Sequence, residues 1–394
     1  MEHPRVTVVG AGASGMAAAI SAAVSGAHVC LLEAAAKPGR SILASGNGRC
    51  NFANADLAPE RYNDPAFVAA AMGDDPLGAI LDFFGHLGLW YRTDAEGRLF
   101  PRSRAASSVL DVLLAGIRER GVGLELGSRA VGVARAADGS WEVGLESGRT
   151  VGSDALVWAA GGGSAGVPAS CLGLPLTEER PALCPLACSP KPPRELDGVR
   201  ASCAVELRDG RSVVDRQEGE VLFRRFGLSG IVVFDLSRLA RPGDTLALDL
   251  MPDLPADELC GVLERRRRDL APRLAGADGM LPFLDGALHP RIARHLMGLA
   301  CGADGSRPLD VRRLAGLLKG WEFAVVGPAE SGSAQVTRGG LALDAFDPSD
   351  LAARGLPGFH ACGEALDVDG ACGGFNLAWA WVSGMVAGVA AARA

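Results

Sequence analysis

Three glycines near the N terminus have the spacing of a turn that holds a nucleotide pyrophosphate: Gly10, Gly12 and Gly15. They follow the apolar run Val6–Val9 and precede an Ala-rich segment that is predicted to be helical. Glycine allows the tight turn and the close approach of backbone to phosphate, and the helix N-terminus attracts the anion. Glu33 ends the next predicted strand, 18 residues after Gly15, where a carboxylate can accept hydrogen bonds from ribose hydroxyls. This βαβ pattern predicts an adenine dinucleotide, FAD or NAD.

A second set of glycines, Gly161, Gly163 and Gly166, has the same spacing and follows the buried run Ala155–Ala159. Pro168 interrupts the segment that should form a helix, and no acidic residue ends a strand about 20 residues further on. The pattern therefore lacks the parts of a second nucleotide site. We expect a glycine-rich crossover that passes close to the first ligand.

Charge and hydropathy narrow the classes of partner. Lys and Arg number 39 and Asp and Glu number 46, a net charge of −7, which argues against a nucleic-acid partner because such proteins bind phosphates through Lys and Arg. The run Arg265–Arg268 is interpreted as a solvated helix face, since no aromatic residues alternate with it. Two uncharged stretches, Val6–Leu32 and Ala371–Ala392, are rich in Gly and Ala, which favours buried α/β elements over membrane spans.

The ten cysteines include no CxxC pair. The closest pair, Cys184 and Cys188, has no neighbouring histidine, so the spacing fits neither a zinc site nor a thioredoxin-like dithiol. We expect reduced, mostly buried thiols in a cytoplasmic protein that holds no metal.

The length of 394 residues corresponds to two or three domains. The buried α/β pattern of the N-terminal part returns after Gly327, whereas the intervening segment has short strands, Pro-rich joints and helical pieces. The sequence predicts an α/β protein with a Rossmann-like domain formed by residues 1–168 and 327–394. An inserted, β-barrel-like domain spans 169–326 and contains a small helical part at about 253–305.

Several further segments, in order along the chain, resemble those of the HI0933-like flavoprotein family, a branch of the two-dinucleotide-binding-domain flavoproteins. The matching segments are GAGASG (10–15), SGNGRCNFAN (45–54), PALCPL (181–186), FGLSG (226–230), VTRGG (336–340) and GEALDVDGACGGFNLAWAWVSG (363–384). The resemblance implies FAD in the Rossmann-like domain and an inserted barrel with a helical subdomain. It also implies an oxidoreductase similar to aminoacetone oxidase-like and bile-acid-reductase-like proteins.

The resemblance assigns FAD contacts along the whole chain. It places Glu33 at the adenosine ribose, Val131 at the adenine, and the pyrophosphate at Gly10, Gly12, Ala13, Ser14 and Gly15. The diphosphate, ribityl chain and flavin would be lined by Arg40, Ser45, Gly46, Arg49, Cys50 and Asn51, and a turn beside the cofactor would be formed by Ala160, Gly161 and Gly162. The ribityl or phosphate portion would be contacted by Gly363 and Glu364, and the isoalloxazine end by Asp369, Gly374, Asn376 and Leu377. The chain departs from the family pattern at Ser41, after Gly163, and at 349–354.

The last predicted helix follows Gly373 and Gly374, with Asn376 as the expected N-cap. If this N-terminus faces the flavin N1–C2=O edge, its amides and dipole would stabilise the anionic reduced flavin. The stripe of Gly384 and Gly388 equally favours close helix packing, and both interpretations can hold together.

The sequence contains no evident catalytic acid or base. None of the six histidines lies in a triad or zinc-binding pattern, and His360 is interpreted as a core residue. Cys50 is interpreted as an inert buried thiol, with a redox role as the alternative. This is compatible with catalysis, because a flavin supplies the hydride chemistry itself.

We therefore expect an FAD-dependent oxidoreductase that moves a hydride between flavin N5 and a small or medium organic substrate. NAD(P)H would be a transient electron donor, or oxygen the second redox partner. The alternatives are a non-catalytic FAD-binding redox sensor or scaffold, a flavin monooxygenase, and a simple NAD dehydrogenase. The catalytic residues, the substrate and the oligomeric state stay open.

Overall fold

The computed structural model describes residues 3–272, 281–302, 307–329 and 334–394. The chain forms two compact units: Met1–Arg180 together with Val336–Ala394, and Pro181–Gln335. The predicted domain boundaries at 168/169 and 326/327 fall inside the helix Gly166–Leu172 and the strand Trp321–Pro328. The chain therefore passes from one unit to the other at different residues. The assignment of the units as cofactor and cap domains stays a prediction.

The first unit is built on a parallel sheet, as the βαβ pattern predicts. The strands that lie or begin in this unit, numbered through the whole chain, are β1 (Arg5–Val9), β2 (His28–Leu32), β3 (Ala53–Asn54), β4 (Tyr91–Thr93), β5 (Arg98–Pro101), β6 (Gly123–Glu125), β7 (Ala130–Arg135), β8 (Trp141–Leu145), β9 (Thr150–Ser153), β10 (Ala155–Trp158), β11 (Leu176–Ala182), β18 (Val336–Leu341) and β19 (Phe359–Ala361). The main sheet has the order β19-β10-β1-β2-β6. Its central strand carries Val6, Val8 and Val9, all buried, which is why the run reads as continuously apolar.

The first unit also contains helices, of which the first and the last pack against the main sheet. They are α1 (Ala13–Val24), α2 (Arg40–Ala44), α3 (Pro65–Met72), α4 (Pro76–His86), α5 (Ala106–Glu119), α6 (Gly166–Leu172) and α11 (Phe375–Ala391). Helices α1 and α11 pack backbone to backbone: a Cβ atom on Gly384 would lie 2.3 Å from the carbonyl oxygen of Ser14, and one on Gly388 2.2 Å from that of Ala18. The small-residue stripe of the last helix therefore has the packing role expected for it.

Three smaller sheets complete the first unit: β3-β5-β4, β7-β8-β9, and the pair β11-β18. After α4 ends at His86, the chain enters the exposed strand β4. The segment 34–54 contains the short helix α2 and a 3₁₀ turn at Ser45–Gly48.

The second unit contains a closed barrel in the order β12-β15-β14-β13-β16-β17, which confirms the barrel predicted for the insert. Its strands are β12 (Leu186–Ser189), β13 (Arg200–Asp209), β14 (Ser212–Arg224), β15 (Gly227–Ser229), β16 (Thr245–Asp249) and β17 (Trp321–Pro328). Its helices are α7 (Ile231–Ser237), α8 (Ala256–Leu270), α9 (Pro290–Cys301) and α10 (Val311–Lys319). The helical part thus extends beyond the predicted end at 305, and its residues 273–280 and 303–306 lie outside the described ones.

Over the described ranges, none of the helices combines the length and the apolar character that crossing a membrane requires. The uncharged stretches at both ends of the chain are instead core elements of the parallel sheet and its helices.

Candidate active site

The first glycine-rich turn lies between β1 and α1, at the carboxyl edge of the parallel sheet. The amide of Gly10 donates to the carbonyl oxygen of Leu32 at 2.7 Å, and φ of Gly10 is 105°. A Cβ atom on Gly10 would lie 2.5 Å from the carbonyl oxygen of Ala159, and one on Gly15 1.7 Å from that of Gly10. The protein's own packing therefore requires glycine at 10 and 15.

Gly12 has a different environment. Its φ of −87° suits any residue, and the nearest atom to a Cβ there would be Ser41 Oγ, 3.7 Å away. Gly12 is also the N-cap of α1, whose first turn has no side-chain cap. Neither conformation nor packing requires glycine here, so the free space in front of the helix N-terminus fits a diphosphate. Ala13 and Ser14 form the first turn of this helix, and their assignment to the pyrophosphate stays a prediction.

Glu33 at the end of β2 is fixed by two backbone amides. Its Oε2 accepts from Ala11 N at 2.9 Å and its Oε1 from Ala35 N at 2.7 Å. A carboxylate has about four acceptor positions, so acceptors remain for ribose hydroxyls. Ser128 N donates to the Glu33 carbonyl at 2.8 Å, which brings the start of β7 to the same place. Val131 on β7 is 51% exposed there, and its assignment to adenine stays a prediction.

The loop from Ser45 to Asn51 has an unusual backbone. Asn47 and Cys50 both have a φ of 54°, a left-handed conformation that is costly for a residue other than glycine and is often found at functional sites. Cys50 is fully buried, and burial raises the pKa of its thiol to about 11, which supports the inert-thiol interpretation. Arg40 at the start of α2 is exposed.

Asn51 has a buried side-chain oxygen whose hydrogen-bonding capacity is unused among the described residues. Its Oδ1 atom is buried and accepts no hydrogen bond from any residue that the structure describes. Buried polar atoms without partners are rare in native proteins. A Cβ atom on Gly374 would lie 2.9 Å from this oxygen, so the loop meets the start of α11 here. Ser45 and Gly46 hold the loop's own turn: Ser45 Oγ donates to the Ile42 carbonyl at 2.6 Å.

The turn after β10 contains Ala160, Gly161 and Gly162 and meets the late chain segment. A Cβ atom on Gly162 would lie 2.4 Å from both Glu364 Oε1 and the Thr337 side chain. The Thr337 amide donates to Glu364 Oε1. Burial raises the pKa of the Glu364 carboxyl, and the nearby charges of Glu179 and Asp369 add to the shift. Hydrogen bonds from Thr337 oppose the shift without cancelling it, so the pKa stays above the ordinary value.

Asp369 and the start of α11 lie next in the chain. Asp369 is fully buried, and Arg338 Nε lies 3.6 Å from its Oδ1. Its own amide donates to Asn63 Oδ1 at 2.9 Å. Sequence reasoning assigned no role to Thr337, Arg338, Glu179 or Asn63, although the VTRGG segment, 336–340, was a signal for the first two.

The predicted N-cap of the last helix is wrong. Gly374, with a φ of 104°, is the N-cap of α11, and Asn376 lies inside the first turn. The Asn376 side chain accepts from Gly370 N and donates to Gly370 O, both at 2.8 Å, and therefore fixes the preceding loop instead of capping the helix. Leu377 follows it and is partly exposed.

Two other predictions concern residues near these segments. A helix, α6, does follow the second glycine set and begins at Gly166, contrary to the expected irregular segment. Its Pro168 lies in the first turn, where a missing amide costs little. His360 is buried, its Nδ1 lies 3.0 Å from Asp350 O, and burial lowers its pKa, as for a neutral core histidine.

Comparison with known proteins gives consistent results. A family model described as "HI0933-like protein Rossmann domain" matches residues 4–390. The 3-dehydro-bile acid delta(4,6)-reductase of Clostridium scindens is 32% identical, and the alignment covers 99% of both chains. The ribosomal RNA dihydrouridine synthase of Escherichia coli is 31% identical over 97% of this chain and 96% of that protein. A 3-ketosteroid-delta4-(5alpha)-dehydrogenase structure from Rhodococcus jostii superposes over all of both chains with a TM-score of 0.49 and 16% identity.

The family match and the reductase relative, together with the parallel sheet, place the protein among FAD-dependent oxidoreductases with a Rossmann-type domain. Within that class, the chain belongs to the HI0933-like family. Because one relative is named for ribosomal RNA, the expectation that nucleic acid is not a partner has no support from the comparisons.

Proposed function

We propose that the protein is a reductase of carbon–carbon double bonds conjugated to a carbonyl group, with NAD(P)H as the transient electron donor. One observation carries the proposal. N-terminal and C-terminal segments of the first unit meet where Gly12 leaves free space and where Asn51 Oδ1 has no hydrogen-bond partner among the described residues. FAD bound there would supply hydride transfer through N5. The substrate would gain that hydride at one carbon and a proton at the other, and NAD(P)H would be oxidised.

The chain's own residues would bind and orient the cofactor. The uncapped N-terminus of α1, with Gly12 at its start, would hold the anionic diphosphate. Glu33, fixed by the amides of Ala11 and Ala35, would hold the ribose in one orientation. Asn51 Oδ1 would accept a hydrogen bond at the ring or ribityl end, since this buried oxygen needs a donor.

Glu364 has a separate task in this proposal. A charged carboxylate beside the ribityl–diphosphate chain would repel the phosphates, whereas a protonated carboxyl can donate a hydrogen bond. Burial raises the pKa of Glu364 and so favours the uncharged form. The Thr337 amide, which donates to Oε1, leaves the other oxygen to carry the proton.

The substrate class comes from the two relatives' names. A Δ4 double bond beside a 3-oxo group and the C5=C6 bond of uracil beside its C4 carbonyl are both conjugated to a carbonyl. Both accept a hydride for the same electronic reason, because the carbonyl takes up the charge that develops. The shared chemistry therefore points to a conjugated ring substrate, in a sterol-like or a pyrimidine ring.

The test is anaerobic reduction followed by single turnover. The purified protein should be yellow, NADH or NADPH should bleach the flavin, and a 3-oxo-Δ4-steroid or a uridine-containing RNA should restore the colour with saturated product formed. A steroid or RNA already saturated at that bond is the matched control and should leave the flavin reduced. Reoxidation by oxygen alone, with neither class of acceptor turned over, would contradict the proposal and favour the sensor or monooxygenase alternatives.

A further inference from the structure

An exposed aromatic residue lies among arginines on the β4–β5 hairpin of the first unit. Trp90 is 77% exposed and Tyr91 43% exposed, although Trp is usually well buried. Arg92, Arg102 and Arg104 on the same hairpin are exposed as well. We call Trp90, Arg92, Arg102 and Arg104 the hairpin face.

The strand register places the central members of the hairpin face side by side. Arg102 N donates to the Trp90 carbonyl at 2.7 Å, so these two residues lie opposite each other. Arg92 pairs with Phe100 on β5. Because residues two apart on a strand share a face, as do residues directly opposite, Trp90, Arg92 and Arg102 lie on one side of the hairpin.

The hairpin face carries positive charge that is not neutralised by ion pairs within the described residues. In the part of the chain that the structure describes, Arg92, Arg102 and Arg104 form no ion pair. The hairpin's two acidic residues, Asp94 and Glu96, are both paired with Arg98 at 2.8 Å. The net charge of −7 is therefore a poor guide to this surface, where a flat aromatic ring alternates with free guanidinium groups.

The hairpin face is continuous with the candidate active site. Arg49, in the Ser45–Asn51 loop, lies over the ring of Phe100 with its Cζ 5.6 Å from the ring centroid. Phe52 N donates to the Leu99 carbonyl at 2.9 Å, and Ala53 pairs with Leu99. A ligand on the hairpin face would thus reach the loop that ends at Asn51 without leaving the first unit.

We propose that the hairpin face binds single-stranded RNA and presents a uracil ring to the active site. A base would stack on Trp90, and phosphates would bind Arg92 and Arg102, as in sequence-tolerant single-strand sites. A protein partner would need a contiguous apolar centre, whereas the exposed large apolar side chains of this hairpin are Trp90 and Tyr91 alone within the described residues. The inference rests on the proposed function, and of its two substrate classes it selects the pyrimidine ring.

The test is binding of a fluorescein-labelled, uridine-rich RNA oligonucleotide to the flavin-loaded protein, followed by fluorescence anisotropy at increasing salt. Trp90→Ala should weaken binding about 5- to 100-fold, and Trp90→Phe should restore most of it. The double variant Arg92→Ala/Arg102→Ala should lower the slope of log affinity against log salt by about 1.4, since each phosphate contact to a single strand contributes about 0.7. Arg211→Ala is the matched control, since Arg211 is exposed on the β13–β14 turn, and it should change neither quantity.

Two results would overturn the inference: no RNA binding at low salt, or binding that the Trp90 and arginine variants leave unchanged. Flavin content and reduction by NAD(P)H are measured on the same samples and should be equal in all variants. Either of these two results in a wild-type protein that still reduces its flavin refutes the hairpin face alone. A protein without flavin chemistry refutes the proposed function instead.

Discussion

Ser14 and Gly363 are in direct contact, although they lie at opposite ends of the chain: a Cβ atom at residue 363 would come within 2.4 Å of Ser14 Oγ. The Gly363 amide donates to Ser383 Oγ at 2.9 Å, and Trp379 Nε1 donates to the Gly363 carbonyl at 3.0 Å. Helix α11 therefore holds residue 363 against the first turn of α1. In the proposed cofactor site, this contact would join the segment assigned to the diphosphate to the one assigned to the ribityl or phosphate portion.

Gly363→Ala should destabilise the protein and reduce its FAD content. The substitution adds the strain of a φ of 65°, about 1 kcal/mol, and a clash with Ser14 of about 1–3 kcal/mol. Gly355→Ala is the matched control, since φ is 79° and its Cβ would have no neighbour within 4 Å. Urea unfolding of both variants measures the difference. Equal loss of stability in the two would show that the Ser14 contact is unimportant.

Gly12→Ala should weaken FAD binding with little loss of stability. A Cβ there meets no protein atom closer than 3.7 Å, so the unfolding free energy of the flavin-free protein should fall by less than about 1 kcal/mol. The methyl group would occupy the space of the diphosphate, and FAD affinity should fall about tenfold or more. Titration of flavin-free protein with FAD measures this. Gly85→Ala, at an open position of α4, should leave affinity unchanged, and unchanged affinity in Gly12→Ala would contradict the assigned diphosphate position.

Glu364 should make stability fall as pH rises. Burial raises the pKa of its carboxyl from the ordinary 4.5, so between that value and the folded pKa the native protein holds a proton that the unfolded chain has released. The stability that the protonated carboxyl contributes is present below 4.5 and is lost as pH rises through the folded pKa. Glu364→Gln removes this titrating carboxyl group. Unfolding free energies measured across that range should decline more steeply in the wild type, and parallel curves would contradict the raised pKa.

The thiols should differ widely in reactivity. Cys171 is exposed, whereas Cys50 and Cys362 are buried, and burial raises their thiol pKa values to about 11 and about 12. Iodoacetamide applied to the native protein at mildly alkaline pH should therefore modify Cys171 first, and Cys171→Ser should remove that product. Peptide mass spectrometry locates the label. Labelling of Cys50 as fast as Cys171 would revive the redox role for Cys50.

The sequence allowed the Rossmann-type sheet and the barrel to be predicted, because Val6–Val9, Gly10–Gly15 and Glu33 are local signals of a βαβ unit and the insert has short, regularly bounded strands. It did not show the cap of α11, since Asn376 has the right chemistry for an N-cap and only tertiary contacts direct its amide to Gly370. The hairpin face was missed for a related reason.

No motif in the sequence singles out Trp90 or the arginines of the hairpin face, and net charge averages over the whole chain. Their alignment on one face depends on the β4–β5 register, which no local pattern specified. Thr337 and Glu179 approach Glu364 only through the folding of β18 and β11 beside it, a long-range arrangement that spacing along the chain does not encode.

The most direct test of the account is the flavin content of the purified protein, measured by its visible spectrum and by chromatography of the cofactor released on denaturation. The purified protein should be yellow and release FAD in an amount equal to that of the chain, and the Gly12→Ala variant should be nearly colourless yet folded. A wild-type protein that is colourless, and stays so after incubation with excess FAD and desalting, would contradict it.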